Sequence, residues 1–389
     1  MYLKIQGSFS NMKQYSGKKA CVYDRDITGL GGGDREALAF AKMLTSYGFS
    51  TQVVTNVLPI PSEERIATAF GDEFQGVAIK HVEMSEMAEL FKVHQPDLFF
   101  NQSYMSYFPN PAPFGIYRQM FPVQRLWIEN SPAEVEAINS YSMILNNSSY
   151  TKKYTDLRWD YPAEQSHVLH PPLAAASIKK AEEFLERPPV KKRTFVSIGR
   201  ITHHKNQQVM INAFLEARRR FPILADWDLL LIGNRVDDQK EGQYFTECED
   251  LVASSEGSIQ MEANAPYSRI EEALTEAFCY VHATGAFHLP GDQPQACEHF
   301  GLSIAEGMAH GCLPLVYARG GIFDIFDIEE GGVPYITFEG MVEGFAEIAE
   351  QWDTEKTSDM QTHMIHSVLK VRYERCSEAL LEIINCEMS

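Results

Sequence analysis

Residues Glu298 to Gly311 read E-H-F-G-L-S-I-A-E-G-M-A-H-G, and the run Leu313-Pro314-Leu315-Val316-Tyr317-Ala318 follows. The small and apolar residues after Gly301 predict a helix beginning near Leu302, which Gly311 would end in the left-handed conformation. The apolar run after it predicts a buried strand. The same stretch carries two carboxylates, Glu298 and Glu306. On one continuous helix their spacing would separate them by about 12 Å along the axis. With Glu298 in a loop, both can approach one ligand from two sides. Glu298 and the N–H groups of Phe300, Gly301 and Leu302 would then converge at a helix N-terminus, a geometry that suits a phosphate with a sugar beside it.

Outward from this stretch, strand-like and helix-like runs alternate. Strands are expected near Lys19–Tyr23, Thr51–Thr55, Gly76–His81, Asp97–Phe100, Ser142–Leu145 and His167–Leu169. A second series lies near Thr194–Ile198, Asp228–Ile232, Ser258–Met261, Cys279–His282, Leu313–Val316 and Val333–Ile336. Helices fill the gaps, the clearest being Asp34–Tyr47, Met84–His94, Asn206–Phe221, Ser268–Ala277 and Leu302–His310. Such alternation with short connections predicts an α/β protein built from parallel, doubly wound sheets. Two series imply two domains, 1–175 and 190–365, divided near Pro171-Pro172 to Pro188-Pro189. A helical tail, about 370–389, is expected to pack back on the first domain.

Composition excludes several classes. The chain has 389 residues, of which 44% are hydrophobic, and a net charge of −19, so it can bury sizeable cores and has no overall basic character for nucleic acid. Seven cysteines without a C-x-x-C pair argue against a disulfide scaffold and for a reducing compartment. Cys279 and Cys312 read as core residues. Met1 to Lys19 holds no apolar core for a signal peptide, and no run approaches the ~18 apolar residues of a membrane span. A cytoplasmic location is expected, with contact at the cytoplasmic face of a membrane left open. The N-x-S/T triplets at Asn101, Asn146 and Asn147 read as accidental.

Four motifs can carry chemistry. Gly29-Leu30-Gly31-Gly32-Gly33-Asp34 joins a strand to a helix; its glycines allow close backbone approach and positive φ, and the helix start offers N–H groups to an anion. Asp24-Arg25-Asp26 upstream mimics a metal-binding D-x-D but reads as solvated turn charge. Ser197-Ile198-Gly199-Arg200-Ile201-Thr202-His203-His204-Lys205-Asn206 sets two cations at the carboxyl end of a strand, where open α/β sheets bind ligands. Arg200 and Lys205 could neutralise a diphosphate without metal, and adjacent His203 and His204 do not face one point. The carboxylate pair is the third motif; Glu306 falls on a helix otherwise lined by Leu302, Ile304, Ala305, Met308 and Ala309, and a buried carboxylate there needs donors, which vicinal ribose hydroxyls would supply. Gly320-Gly321-Ile322-Phe323-Asp324 is another backbone-approach loop. Hydrolase, zincin and P-loop motifs are absent from the sequence.

From about Ala20 to Ile336 the chain resembles a GT-B fold glycosyltransferase of glycosyltransferase family 4. Gly199-Arg200 with Lys205, and Glu298 with Phe300-Gly301-Leu302 and Glu306, carry the resemblance; the turn Gly31–Gly33 and the segment Ile144–Ser149 add to it. The E-H-F-G spelling is similar to mannosyltransferases of that family. The resemblance implies two Rossmann-like domains facing across a cleft. It implies metal-independent transfer, with retention, of a sugar from a UDP- or GDP-sugar to a hydroxyl of a glycan or lipid-linked acceptor, with no cofactor. Arg200 and Lys205 would hold the diphosphate, Glu298 the donor sugar and Glu306 the ribose. Gly31, Gly32, Gly33, Gly199, Phe300, Gly301 and Leu302 would line the nucleotide-sugar site. Many family members place a histidine after the fourth strand. This chain reads Asn101-Gln102-Ser103-Tyr104 there, so Asn101, Gln102 or Tyr104 would face the acceptor or the donor sugar. Lys152, Lys153, Arg158 and Trp159 form either a basic–aromatic patch for a lipid-linked acceptor or a solvated helix face. Alternatives within the fold are a sugar-nucleotide epimerase or an inverting transferase, which product anomeric configuration distinguishes. A non-catalytic sugar-nucleotide-binding subunit would bind without turnover.

Overall fold

The computed structural model of the chain describes residues 14–123, 125–236, 238–287, 293–324, 326–352 and 354–388, apart from the side chains of Trp127 and Ile128. Most of the expected leaderless start, residues 1–13, lies outside the described residues. Two compact units are present. The first holds the residues up to Pro172 together with those from Tyr373 onward; the second is Leu173–Arg372.

The first unit contains β1 (Lys19–Tyr23), β2 (Ser50–Thr55), β3 (Ile79–His81), β4 (Leu98–Asn101), β5 (Phe114–Gln119), β6 (Met143–Asn146) and β7 (Ser166–Val168). They form one sheet in the order β3-β2-β1-β4-β5-β6-β7, and every pair is parallel. The second contains β8 (Lys192–Ile198), β9 (Asp228–Gly233), β10 (Ile259–Ala263), β11 (Ala277–His282), β12 (Leu313–Tyr317) and β13 (Val333–Tyr335), ordered β10-β9-β8-β11-β12-β13 and again parallel throughout. Central strands such as β11 and β12 are buried along their whole length, as parallel strands covered on both faces must be. Cys279 and Cys312 are both fully buried.

Both orders reverse direction once: between β1 and β4, and between β8 and β11. The loops leaving these neighbouring strands diverge to opposite faces, which opens a crevice at their carboxyl ends. The motif at Gly199–Lys205 leaves β8, and the stretch through Glu298 follows β11. In the first unit, Asp24 and the glycine turn follow β1, and Asn101-Gln102 ends β4.

One strand departs from the sequence expectation. β5 has Gly115, Arg118 and Gln119 within it and three prolines just before it. Gly115 is there because the Asn110 side chain fills the place of a Cβ. Arg118 is buried, pairs with Glu36 of the helix Gly32–Ser46, donates to Leu169 O at 2.8 Å, and lies over the Phe40 ring at 5.3 Å. The tail helix Tyr373–Met388 lies on the first unit: Tyr47 donates to Ser377 O (2.5 Å), Tyr15 to Asn385 Oδ1 (2.6 Å), and His167 Nε2 meets Glu387 at 3.0 Å. Among the described residues no helix is long and apolar enough to cross a membrane.

Candidate active site

The loop after β8 is built around a close backbone approach. Gly233, ending β9, lies against Gly199, and a Cβ at 233 would collide with the Gly199 carbonyl oxygen. Gln207 then folds the loop back on itself: its Nε2 donates to Arg200 O (2.9 Å), and its Oε1 accepts from Thr202 N (3.3 Å). Asn206 has a left-handed backbone (φ 58) and caps the helix Gln207–Arg220. Its Nδ2 donates to Ala283 O (2.8 Å) and Ala286 O (3.0 Å), tying this loop to the one after β11. His203 turns away to Glu241 (2.9 Å from the backbone N, 3.1 Å from Nδ1) and packs against the Tyr244 ring at 4.3 Å, tilted by 36°. His204 lies in the field of Lys205, Glu298, Arg200 and His282.

Glu298 is held by its main chain before its side chain is considered. Its carbonyl accepts from Gly321 N at 2.8 Å, and it bridges to Gly320 as a parallel pair. Gly320 has φ 112, and a Cβ there would collide with Glu298 O. Gly301 next turns left-handed (φ 97), with Ile322 Cγ2 only 2.8 Å from where a Cβ would sit. The helix Leu302–Ala309 begins there. It ends as expected at Gly311: Gly311 N bonds Met308 O (2.9 Å) and Cys312 N bonds Gly307 O (3.0 Å), the paired closure of a Schellman motif.

These two loops bring Lys205 Nζ to 3.1 Å from Glu298 Oε2. His282, the last residue of β11, places Nε2 at 3.3 Å from the same oxygen. Burial alone would raise the Glu298 pKa; the Lys205 charge and the His282 bond hold it well below the usual carboxylate range. Burial lowers the pKa of His204 and of His282, and takes His299 to about 4. The Tyr280 hydroxyl donates to Ile198 O at 2.9 Å and lies in the field of both Glu298 and Glu306. Lys205 and Glu298 are therefore in contact at the β8–β11 rim; Glu306 is near enough to act on Tyr280, and exposed Arg200 near enough to lower the pKa of His204. Phe300 contributes differently from expectation: its ring is 3% exposed and packs on Phe326 at 5.7 Å, in the core under the loop.

Sequence reasoning missed His282. Its only signal is a lone histidine closing an apolar strand run. It also misjudged the turn after β1. The left-handed residue there is Leu30 (φ 49), not a glycine. Gly31 and Gly32 are exposed, and Gly31 N is taken by Asp34 Oδ2 at 2.7 Å. Asp24 is no solvated turn charge: it is buried, and burial together with Asp34 raises its carboxyl pKa to about 7. Asn101 is spent inside the fold, donating to Tyr141 Oη (2.8 Å) and accepting from Ser103 N (3.2 Å). Gln102 Nε2 donates to Glu36 at 2.9 Å, while its Oε1 is buried with no partner among the described residues. Tyr104 is 42% exposed. Asn101, Asn146 and Asn147 are all buried. The basic–aromatic patch resolves into structure: Arg158 donates to Pro122 O and Val123 O (2.7 and 2.8 Å), Lys152 pairs with Asp156, and Trp159 is buried.

The family profile described as Glycosyl transferases group 1 matches residues 179–366. This segment is a group 1 glycosyl transferase domain. The chain is 25% identical over 190 residues to the GDP-Man:Man(3)GlcNAc(2)-PP-Dol alpha-1,2-mannosyltransferase of Yarrowia lipolytica, covering 46% of this chain and 28% of that one. The Homo sapiens protein of the same name is 25% identical over 202 residues, covering 49% and 37%. The chain thus spans well under half the length of these relatives. Among solved structures it superposes on a glycosyltransferase from Rickettsia africae ESF-5 (TM-score 0.69, 14% identity, 96% of this chain and 99% of that one). It also superposes on Anabaena Alr3699/HepE in complex with UDP-glucose (TM-score 0.66, 14% identity, 95% and 99%). The fold is GT-B.

Proposed function

We propose that the chain is a retaining, metal-independent hexosyltransferase that moves a sugar from a nucleoside-diphosphate donor to a hydroxyl of a glycan or lipid-linked acceptor. The observation that carries this reading is the convergence of Lys205 and His282 on one oxygen of Glu298 at the crevice of the second sheet, with Arg200 and Glu306 alongside. Arg200 and Lys205 neutralise the diphosphate, most of all as its charge grows on leaving. The N–H groups of Gly301 and Leu302 complete its cradle. Glu298 accepts from hydroxyls of the donor sugar and Glu306 from those of the ribose. In the front-face sequence the departing phosphate oxygen takes the proton of the acceptor hydroxyl as the new glycosidic bond forms. The relatives named for GDP-Man and the E-H-F-G spelling favour GDP-mannose as the donor to test first. A cytoplasmic enzyme working at the membrane face suits a lipid-linked acceptor.

The test begins with a thermal-shift panel of guanosine, uridine, adenosine and thymidine diphosphates and their sugars. Sugar release and transfer are then followed with and without EDTA. Retained anomeric configuration in the product, by NMR, and activity that survives EDTA are expected. An inverted product overturns retention, loss with EDTA overturns metal independence, and stabilisation by no nucleotide overturns the reading as a whole.

A further inference from the structure

His282 is 4% exposed and its carbonyl is fixed by the Tyr335 hydroxyl at 2.8 Å. Its Nε2 faces Glu298 Oε2, while its Nδ1 is buried with no hydrogen-bond partner among the described residues. A ring nitrogen facing a carboxylate oxygen carries its proton. A second proton on Nδ1 would be a buried donor with nothing to accept it. The geometry therefore holds the ring neutral, as the Nε2–H form, and burial lowers its pKa in the same sense. Both Lys205 and His282 reach Oε2, and among the described residues no donor reaches Oε1.

We propose that His282 is a positioning residue: with Lys205 it pins Oε2 of Glu298 and presents Oε1 as the acceptor for a hydroxyl of the donor sugar. This rests on the nucleotide-sugar reading above. The two donors are not equivalent. Lys205 is 24% exposed in its side chain and is drawn to the diphosphate when a nucleotide binds. His282 is neutral and sealed, so its bond to Glu298 persists in the complex. Removing it should affect recognition of the sugar and spare recognition of the nucleotide.

Calorimetric titrations of GDP and GDP-mannose would compare the intact chain with His282→Leu, His282→Gln, Glu298→Gln and the double variant His282→Leu/Glu298→Gln. His282→Leu should leave GDP affinity within about twofold and weaken the preference for GDP-mannose over GDP about tenfold, the worth of one hydrogen bond to a charged group. His282→Gln, which keeps a donor, should recover most of that preference. Adding His282→Leu to Glu298→Gln should change nothing further, because a residue that acts through Glu298 has nothing left to act on. Additive losses, or an unchanged preference in His282→Leu, overturn the positioning role while the nucleotide-sugar reading stands. Nucleotide binding that fails in the intact chain counts against that earlier reading instead. The ligand-free protein then decides the present proposal through ¹⁵N NMR of the histidine rings. An Nε2–H tautomer for His282 whose signals move on Glu298→Gln supports it; an Nδ1–H tautomer, or unmoved signals, overturns it.

Discussion

Replacing Lys205 by methionine removes the ammonium and keeps the stem. Nζ lies 3.1 Å from Glu298 Oε2, and the two side chains are 24% and 18% exposed. At an effective dielectric constant of about 20, two unit charges so placed attract by about 5 kcal/mol. Desolvation offsets much of that attraction, but removing one partner strands the other. Breaking a fully buried pair costs about 3–5 kcal/mol, and the residual exposure here lowers the expectation to about 1–3 kcal/mol, read as the change in urea midpoint by circular dichroism. The pH dependence has a definite sign. Glu298 is depressed in the folded state, so its contribution is present above the ordinary carboxylate pKa and is lost as pH falls through the depressed value. The deficit of Lys205→Met should therefore shrink in acid. Lys205→Met/Glu298→Gln, which strands no charge, should recover most of the lost stability. Turnover is expected to fall roughly 10²–10³-fold in the single variant, as when a transition-state donor is lost, and not to recover in the double. The reasoning fails if the double variant is further destabilised, or if the single variant keeps both stability and rate.

Three further outcomes follow from the same geometry. Arg200 is exposed, so Arg200→Ala should change stability by less than about 0.5 kcal/mol yet cut turnover about 10²-fold; equal turnover would remove its role at the diphosphate. Gly320→Ala combines a left-handed backbone with a collision against Glu298 O, and should cost about 2–4 kcal/mol in chemical denaturation; a stable variant would mean the two loops are not packed as described. Burial takes His170, His299 and His310 to about 4, below the ordinary value near 6.5. Between those values the unfolded chain binds more protons, so stability is full above about pH 6.5 and is lost as pH falls toward 4. Asp24, raised to about 7, and Asp34, also raised by burial, oppose this, while the lowered His204 and His282 add to it. A melting temperature that rises between pH 7 and pH 5 would contradict the sum.

Legibility in the sequence followed what each residue's neighbours along the chain could say. Twelve of the strands named above were readable to within a few residues, most of them from local apolar runs. β5 was not, because Gly115 and Arg118, which argue against a strand, are excused by residues outside it. Gly115 makes room for Asn110, and Arg118 is neutralised by Glu36, 82 residues earlier. In the site, the types and spacing of Arg200, Lys205, Glu298 and Glu306 were informative because loops at strand ends carry function. The contact of Lys205 with Glu298 spans 93 residues and depends on strand order. His282 was silent for the same reason: at the end of an apolar run it reads as a core residue until Glu298 is placed against it. The glycine turn erred in the other direction. Its composition suggested left-handed glycines, but Leu30 takes that conformation and Asp34 occupies the Gly31 N–H.

Three glycines of the second unit show how the loops of the site are packed. At Gly233 the neighbour is Gly199 O, at Gly285 it is Ala296 O, 2.5 Å from where a Cβ would sit, and at Gly320 it is Glu298 O. In each case the atom that forbids a side chain is a backbone carbonyl, from another loop of the same rim at Gly233 and Gly320 and from the far part of the same connection at Gly285. These three glycines serve backbone packing of the rim. A scaffold fixed by main-chain contacts can hold charged groups in one geometry at little cost in side-chain entropy. Glu298 is the clearest case: its carbonyl is bound by Gly321 N at 2.8 Å and covered by Gly320, independently of its carboxylate. Substituting glutamine there should leave the loop in place. A large loss of turnover in Glu298→Gln, with a melting temperature lowered no further than by the loss of the ion pair in Lys205→Met, would report on the carboxylate itself, and a melting temperature that collapsed well beyond that would show that the ion pair, not the backbone, holds the loop.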